Sequence, residues 1–220
     1  MINIKYEDNH LLVVEKPINI PVQEDSSRDL DFLTMLKDFI KKRDNKPGNV
    51  YLGLVHRLDR PVGGIMVFAK TSKCASRLSE QIRNRTFKKG YLAVVEGKIK
   101  NSDIFIDKLI KDQKNNMVKV SDEGKLSELN YELLEYVDNY SLVKINLKTG
   151  RSHQIRVQFS SRNYPLYGDQ KYNVNAKVGQ QIALFSNYIT FNHPITKELL
   201  TFSLNLPKRY PWNLFNYAKK

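Results

Sequence analysis

The sequence predicts an α+β fold, a single domain spanning residues 1–220 and built on a largely antiparallel (mixed) β-sheet with flanking helices. Three observations carry that expectation. Apolar runs of strand length recur along the chain, while helical spacing is confined to three short segments. No repeat, low-complexity segment or flexible linker divides the 220 residues. A chain of this length with 41% hydrophobic residues can also bury a substantial core.

Taken in order, the elements begin with a hairpin. Ile2, Ile4 and Tyr6 alternate, Glu7 to His10 form the bend, and Leu11 to Val14 return, with Pro17 and Pro21 ending the strand. Between Asp29 and Arg43, Leu33, Leu36 and Ile40 fall at helical spacing beside Phe32 and Phe39, and Lys41 to Arg43 suit a helix C-terminus. Asn45 to Gly48 stop it. A strand follows at Val50 to Val55, then the polar segment His56 to Arg60, then Pro61, Gly63 and Gly64, then a strand at Ile65 to Ala69. Thr71 or Ser72 can cap a helix with Ala75, Leu78 and Ile82 inward and Arg77, Arg83 and Arg85 outward. The remainder is rich in strands, at Tyr91 to Val95, Ile104 to Ile110, Met117 to Val120, Leu126 to Tyr136, Leu142 to Leu147, Ile182 to Phe191 and Leu199 to Leu204, with one short helix at Ser152 to Ser161.

Composition narrows the function classes. Lys and Arg number 36 against 23 Asp and Glu, a net charge of +13, which favours a polyanionic partner held by phosphate neutralisation. Residues 70–100 concentrate the excess: Lys70, Lys73, Arg77, Arg83, Arg85, Lys88, Lys89, Lys98 and Lys100 face only Glu80 and Glu96. No run reaches the roughly 20 apolar residues that span a bilayer, and MINIKYEDNH lacks the regions of a secretory signal. A cytoplasmic protein with no membrane association is expected. The single cysteine, Cys74, allows no intrachain disulfide and reads as a small core residue.

Two polar segments carry chemistry. In His56-Arg57-Leu58-Asp59-Arg60 two guanidinium groups flank a carboxylate, so Asp59 is expected to stay ionised, suited to nucleophilic or electrostatic work rather than general acid work. On these residues alone, a surface ion-pair cluster is an equal reading. A protein-kinase catalytic loop is excluded by the intervening Leu58 and by the lack of a glycine-rich phosphate loop. A metal-dependent nuclease needs several gathered carboxylates, and zinc needs paired ligand spacing that the four scattered histidines do not provide. In Thr149-Gly150-Arg151-Ser152-His153-Gln154-Ile155-Arg156, a glycine turn opens a helix with Arg151 and His153 at its start, where amide N–H groups could hold a phosphate. Ile155 and Phe159 form its buried face. A third segment, Phe87-Lys88-Lys89-Gly90-Tyr91-Leu92-Ala93, brings Tyr91 into a strand after the basic patch.

HRLDR with its following glycines, then K-x-Y-x-A, then GRSHQIRVQ, in this order, resemble the RluA family of uridine-to-pseudouridine synthases. The resemblance continues through PLYGDQKY and HPIT and covers about Glu7 to Pro207. It implies a pseudouridine synthase-like fold and an RNA-modifying isomerase that uses no metal or other cofactor. Asp59 would be the catalytic aspartate, Arg151 its ion-pair partner and Tyr91 the ring that contacts the target base. His56, Arg57, Arg60, His153, Gln154 and Ile155 would line the substrate, and Arg83, Arg85, Lys88 and Lys89 would meet the RNA backbone. The partner implied is a structured RNA, a stem-loop of ribosomal or transfer RNA, bound by a monomer. The chain departs from the pattern at Pro61-Val62-Gly63-Gly64, where much of the family has Thr-Ser-Gly, and no separate N-terminal S4-type domain is expected. A binding module without turnover and a DNA-binding regulator are the rival classes. The intact Asp59, Tyr91 and Arg151 speak against the first, and the absence of a helix-turn-helix or basic-zipper pattern against the second.

Overall fold

A computed structural model describes residues 2–217. They form an α+β structure rich in antiparallel strand pairs, divided into two compact units. One unit comprises residues 1–88 and 188–204, the other residues 89–187 and 205–220.

In the first unit, β1 (Asn3–Glu7) and β2 (Leu11–Lys16) form the expected hairpin, and β2 pairs along its length with β4 (Gly63–Ala69). Every residue of β4 is buried, as its continuous apolar run requires. The strand expected at 50–55 shortens to β3 (Gly53–Leu54), which meets only Ala69 and Phe68 of β4. Helix α1 (Phe32–Arg43) is capped by Asp31, whose carboxylate accepts from Thr34 N–H at 3.0 Å, and it buries Phe32, Leu36 and Ile40, one turn apart. Helix α2 (Ser72–Arg83) is capped by Thr71 and buries Cys74 and Leu78, while Ala75 and Ile82 are half-buried.

In the second unit, β5 (Lys88–Glu96), β6 (Ser102–Asp112), β7 (Met117–Val120), β8 (Lys125–Val137) and β9 (Tyr140–Leu147) lie in the order β5-β9-β8-β6-β7. Asp138 and Asn139, both at positive φ (48° and 64°), make the tight turn between β8 and β9. Helix α3 (Gln154–Ser160) docks on one face of this sheet. Its Phe159 ring centroid lies 5.0 Å from that of Phe105 and 5.3 Å from that of Tyr131. Strand β10 (Leu184–Asn192) passes from the second unit into the first, where it pairs with β11 (Leu199–Ser203). Among the described residues no helix is long and apolar enough to cross a membrane.

Candidate active site

Between β3 and β4 the exposure of successive residues alternates. His56 and Leu58 are buried, Arg57 is exposed and Asp59 is half-buried. Burial of His56 and Leu58 on one side leaves Arg57 on the other, facing outward. His56 Nε2 accepts from Val67 N–H at 3.2 Å, and its ring lies 5.6 Å from that of Phe87, which ties the loop to β4. The Arg60 guanidinium donates to Ser27 Oγ at 3.0 Å and pairs with the Asp29 carboxylate. That flank of the aspartate is therefore engaged by the 27–29 segment.

The Asp59 carbonyl accepts from Val62 N–H at 2.9 Å and closes a turn. Lys16, a residue that sequence patterning did not single out, holds this turn. It is 1% exposed, and its Nζ donates to the carbonyls of Pro17 at 2.8 Å, Arg60 at 3.1 Å and Val62 at 2.8 Å, which can satisfy the three protons of an ammonium. Burial pushes its pKa down to about 8, while the negative charge of Asp59 pulls the other way. Gly64, at φ 128°, follows in a conformation that a side chain would strain. The Pro61-Val62-Gly63-Gly64 segment is thus held through its main chain.

In the second unit, Tyr91 is 6% exposed and stands opposite Ile145, which stands opposite Tyr131 in turn. The three share the face on which α3 docks. Half-buried Lys89 approaches the glycine turn: a Cβ on Gly150 would lie 3.2 Å from Nζ, and burial pushes the lysine pKa down. Arg151 is exposed, its Nε donating to the Leu126 carbonyl at 3.1 Å.

The helix expected from Ser152 begins at Gln154, because His153 adopts a left-handed conformation with φ 51°. Gln154 is buried with its amide fully engaged. Oε1 accepts from Thr149 Oγ1 at 2.8 Å and Arg151 N–H at 3.0 Å, and Nε2 donates to the Glu128 carbonyl and to Gln158 Oε1, both at 3.1 Å. It organises the turn from inside. Ile155 is buried beside it.

Arg156 and the PLYGDQKY segment carry no role legible in the sequence alone, and the structure brings them together. Arg156 is 5% exposed and makes a bidentate pair with Asp169, Nε to Oδ2 at 2.8 Å and Nη2 to Oδ1 at 2.5 Å. Its guanidinium carbon lies 5.1 Å from the Tyr172 ring centroid. Gly168, at φ 69°, lets the segment pass close to the Gln181 backbone, since a Cβ there would stand 2.5 Å from the Gln181 carbonyl oxygen.

Of the basic patch, Arg83, Arg85 and Lys88 are exposed, Arg83 closing α2 and Arg85 sitting at φ 58° just beyond it. Arg77, expected outward, is instead half-buried: its Nη1 donates to the Pro194 carbonyl at 2.8 Å and anchors α2. Among the described residues, no three His, Cys, Asp or Glu side chains gather as metal ligands would.

This arrangement of strands and helices is that of the pseudouridylate synthases. The structure of human RNA Pseudouridylate Synthase Domain Containing 4 superposes with a TM-score of 0.79 at 21% identity, covering 94% of this chain and 89% of that one. That of human RNA Pseudouridylate Synthase Domain Containing 1 gives 0.76 at 21% identity, over 99% and 87%. These likenesses establish the fold. The family model described as RNA pseudouridylate synthase matches residues 10–161. Ribosomal large subunit pseudouridine synthase C of Vibrio vulnificus is 34% identical over 203 residues, 89% of this chain and 62% of the relative. Uncharacterized RNA pseudouridine synthase YhcT of Bacillus subtilis is 31% identical over 210 residues, 94% of this chain and 69% of the relative. The chain belongs to the RNA pseudouridylate synthase family. It spans just under two thirds of the length of the Vibrio relative.

Proposed function

We propose that this protein isomerises uridine to pseudouridine in a structured RNA, with Asp59 as the essential carboxylate. The observation that carries the reading is the Asp59 turn, half-exposed and held from beneath by Lys16, in a chain of this family. Ribosomal RNA is the proposed target class, by analogy with the Vibrio relative, whose printed name is that of a ribosomal large subunit enzyme.

The isomerisation breaks the bond from ribose C1′ to base N1, turns the uracil and joins C1′ to C5. N1 gains a proton, the C5 hydrogen leaves to water and no electrons are exchanged. The target nucleotide must first leave its stack, at a cost of a few kcal/mol. Family resemblance favours Asp59 as the base that removes the ribose 2′ proton and later returns it, over attack at C1′ or addition to C6. Tyr91 meets the uracil ring, with Ile155 as an apolar contact, and holding the detached base in place can lower the barrier by about 7 kcal/mol or more. Arg57 and His153 contact the nucleotide and its phosphates, and family resemblance assigns Arg151 to the catalytic carboxylate.

The test is tritium release from RNA labelled at uridine C5, with large-subunit ribosomal transcripts and transfer RNA as parallel substrates. Wild-type protein should release label, and Asp59→Asn should lower the rate by about a thousandfold or more while RNA binding persists. An active Asp59→Asn would remove the catalytic assignment. Binding without release from any RNA would make the protein a binding module.

A further inference from the structure

We propose that Tyr172, from the PLYGDQKY segment, is a positioning residue whose hydroxyl fixes the tautomer and orientation of His153. The inference rests on the reading of His153 as a group that contacts the RNA.

His153 occupies a strained position. It is a non-glycine residue at φ 51°, it forms the junction into α3, and its side chain makes no capping bond to that helix. A partner from elsewhere in the chain meets the imidazole: the Tyr172 hydroxyl lies 2.7 Å from His153 Nδ1, with the two rings at 72°. The same phenol oxygen accepts from Val118 N–H at 2.8 Å. An oxygen that already receives one N–H is set to give its own proton to the next partner, which makes Nδ1 the acceptor and leaves the imidazole proton on Nε2.

Tyr172 is itself well braced. Its carbonyl accepts from Ser160 Oγ at 2.7 Å at the end of α3, and its ring lies beneath the Arg156 guanidinium that Asp169 holds. Asp169 also accepts from Lys171 N–H at 3.1 Å, fixing the backbone just ahead of Tyr172. The segment therefore supplies a carboxylate for Arg156 and a phenol for His153, two groups of one motif steadied by one turn. Orienting an imidazole through its second nitrogen is a recurrent way of presenting the first as a directed donor.

The test compares Tyr172→Phe, which removes the hydroxyl and keeps the ring under Arg156, with Tyr172→Leu, which removes both. Two-bond nitrogen–proton correlation spectra of the histidine side chains, recorded near pH 8 so that imidazoles are neutral, should show His153 in wild type as the Nε2–H tautomer. In Tyr172→Phe that signature should give way to a mixture. Single-turnover tritium release should fall roughly tenfold to a hundredfold in the same variant, with RNA affinity within about twofold of wild type. Wild-type His153 carrying its proton on Nδ1 would overturn the inference without any variant. So would a Tyr172→Phe that keeps the Nε2–H signature and full turnover, with loss appearing only in Tyr172→Leu, since the ring rather than the hydroxyl would then matter. Failure of the wild-type protein to release tritium from any RNA would instead strike the proposed function, and the spectra would still decide the role of Tyr172.

Discussion

Lys16 closes the run LLVVEK, where one-dimensional patterning reads a polar residue leaving a strand for solvent. The carbonyls of Arg60 and Val62 that it serves lie 44 and 46 residues further on, so nothing local announces that the ammonium turns inward. Asp59, by contrast, was legible because its chemical type and its neighbours His56, Arg57 and Arg60 stand together in sequence. The pairing of Arg156 with Asp169 was illegible for the same reason as Lys16: a guanidinium inside a core makes sense only once its carboxylate is seen. Lys16 also leaves a thermodynamic mark. Its folded pKa of about 8 lies below the ~10.4 of an exposed lysine, so between those values the unfolded chain binds more protons. Stability must then rise with pH through that window. Denaturant titrations should show wild type gaining about 3 kcal/mol relative to Lys16→Met from about pH 8 to about pH 10.4. A difference that stays flat would mean that the amine titrates as though solvated.

Elements were legible where periodicity and caps agreed. The hairpin of β1 and β2, the end of α1 at Arg43, and the strands from β5 to β11 follow directly from apolar spacing and turn residues, whereas α2 stops at Arg83 and leaves Arg85, expected on its outer face, beyond the helix. Two expectations shortened for physical reasons. Strand β3 keeps two residues, since a glycine at its start weakens a short ladder, and α3 starts late because a left-handed His153 cannot belong to a right-handed helix. What links elements was less visible. Glu7, at the end of β1, accepts from Arg43 Nη1 at 2.6 Å at the end of α1 and from Lys70 Nζ at 2.9 Å just past β4. The Arg43 hydrogen bonds, aided by Lys70, hold its carboxyl near pKa 2. A carboxyl depressed in the folded state stabilises above its unfolded pKa and loses that contribution as pH falls through the folded value. Relative to Glu7→Gln, wild type should lose about 1 to 2 kcal/mol between about pH 4.5 and pH 2, the partial exposure of Arg43 reducing the full effect. Parallel acid-denaturation curves for the two proteins would refute the linkage.

For the whole molecule, the excess of 36 basic over 23 acidic residues pointed to a polyanion from composition alone. The structure sorts the cations. Arg77, Lys70 and Arg156 bind within the fold, whereas Arg83, Arg85 and Lys88 are exposed. Replacing those three with Gln should weaken RNA binding and reduce the slope of log affinity against log salt by about 2, since each phosphate contact to a single strand contributes roughly 0.7. An unchanged slope would place the RNA elsewhere. The division into two compact units had no sequence signal. Its boundaries, at Lys88–Lys89, Asn187–Tyr188 and Leu204–Asn205, fall inside or at the ends of strands, where no linker composition marks them.

The turn under Asp59 bears on how this chain can drift over generations. Lys16 grips carbonyl oxygens, and every residue type carries the same carbonyl. Selection on the turn's shape therefore presses on position 16 and on the glycine at 64, and the buried side chain at 62 adds a demand for an apolar residue. Proline and valine can stand at 61 and 62 without unsettling the aspartate before them, because the grip is on carbonyl oxygens.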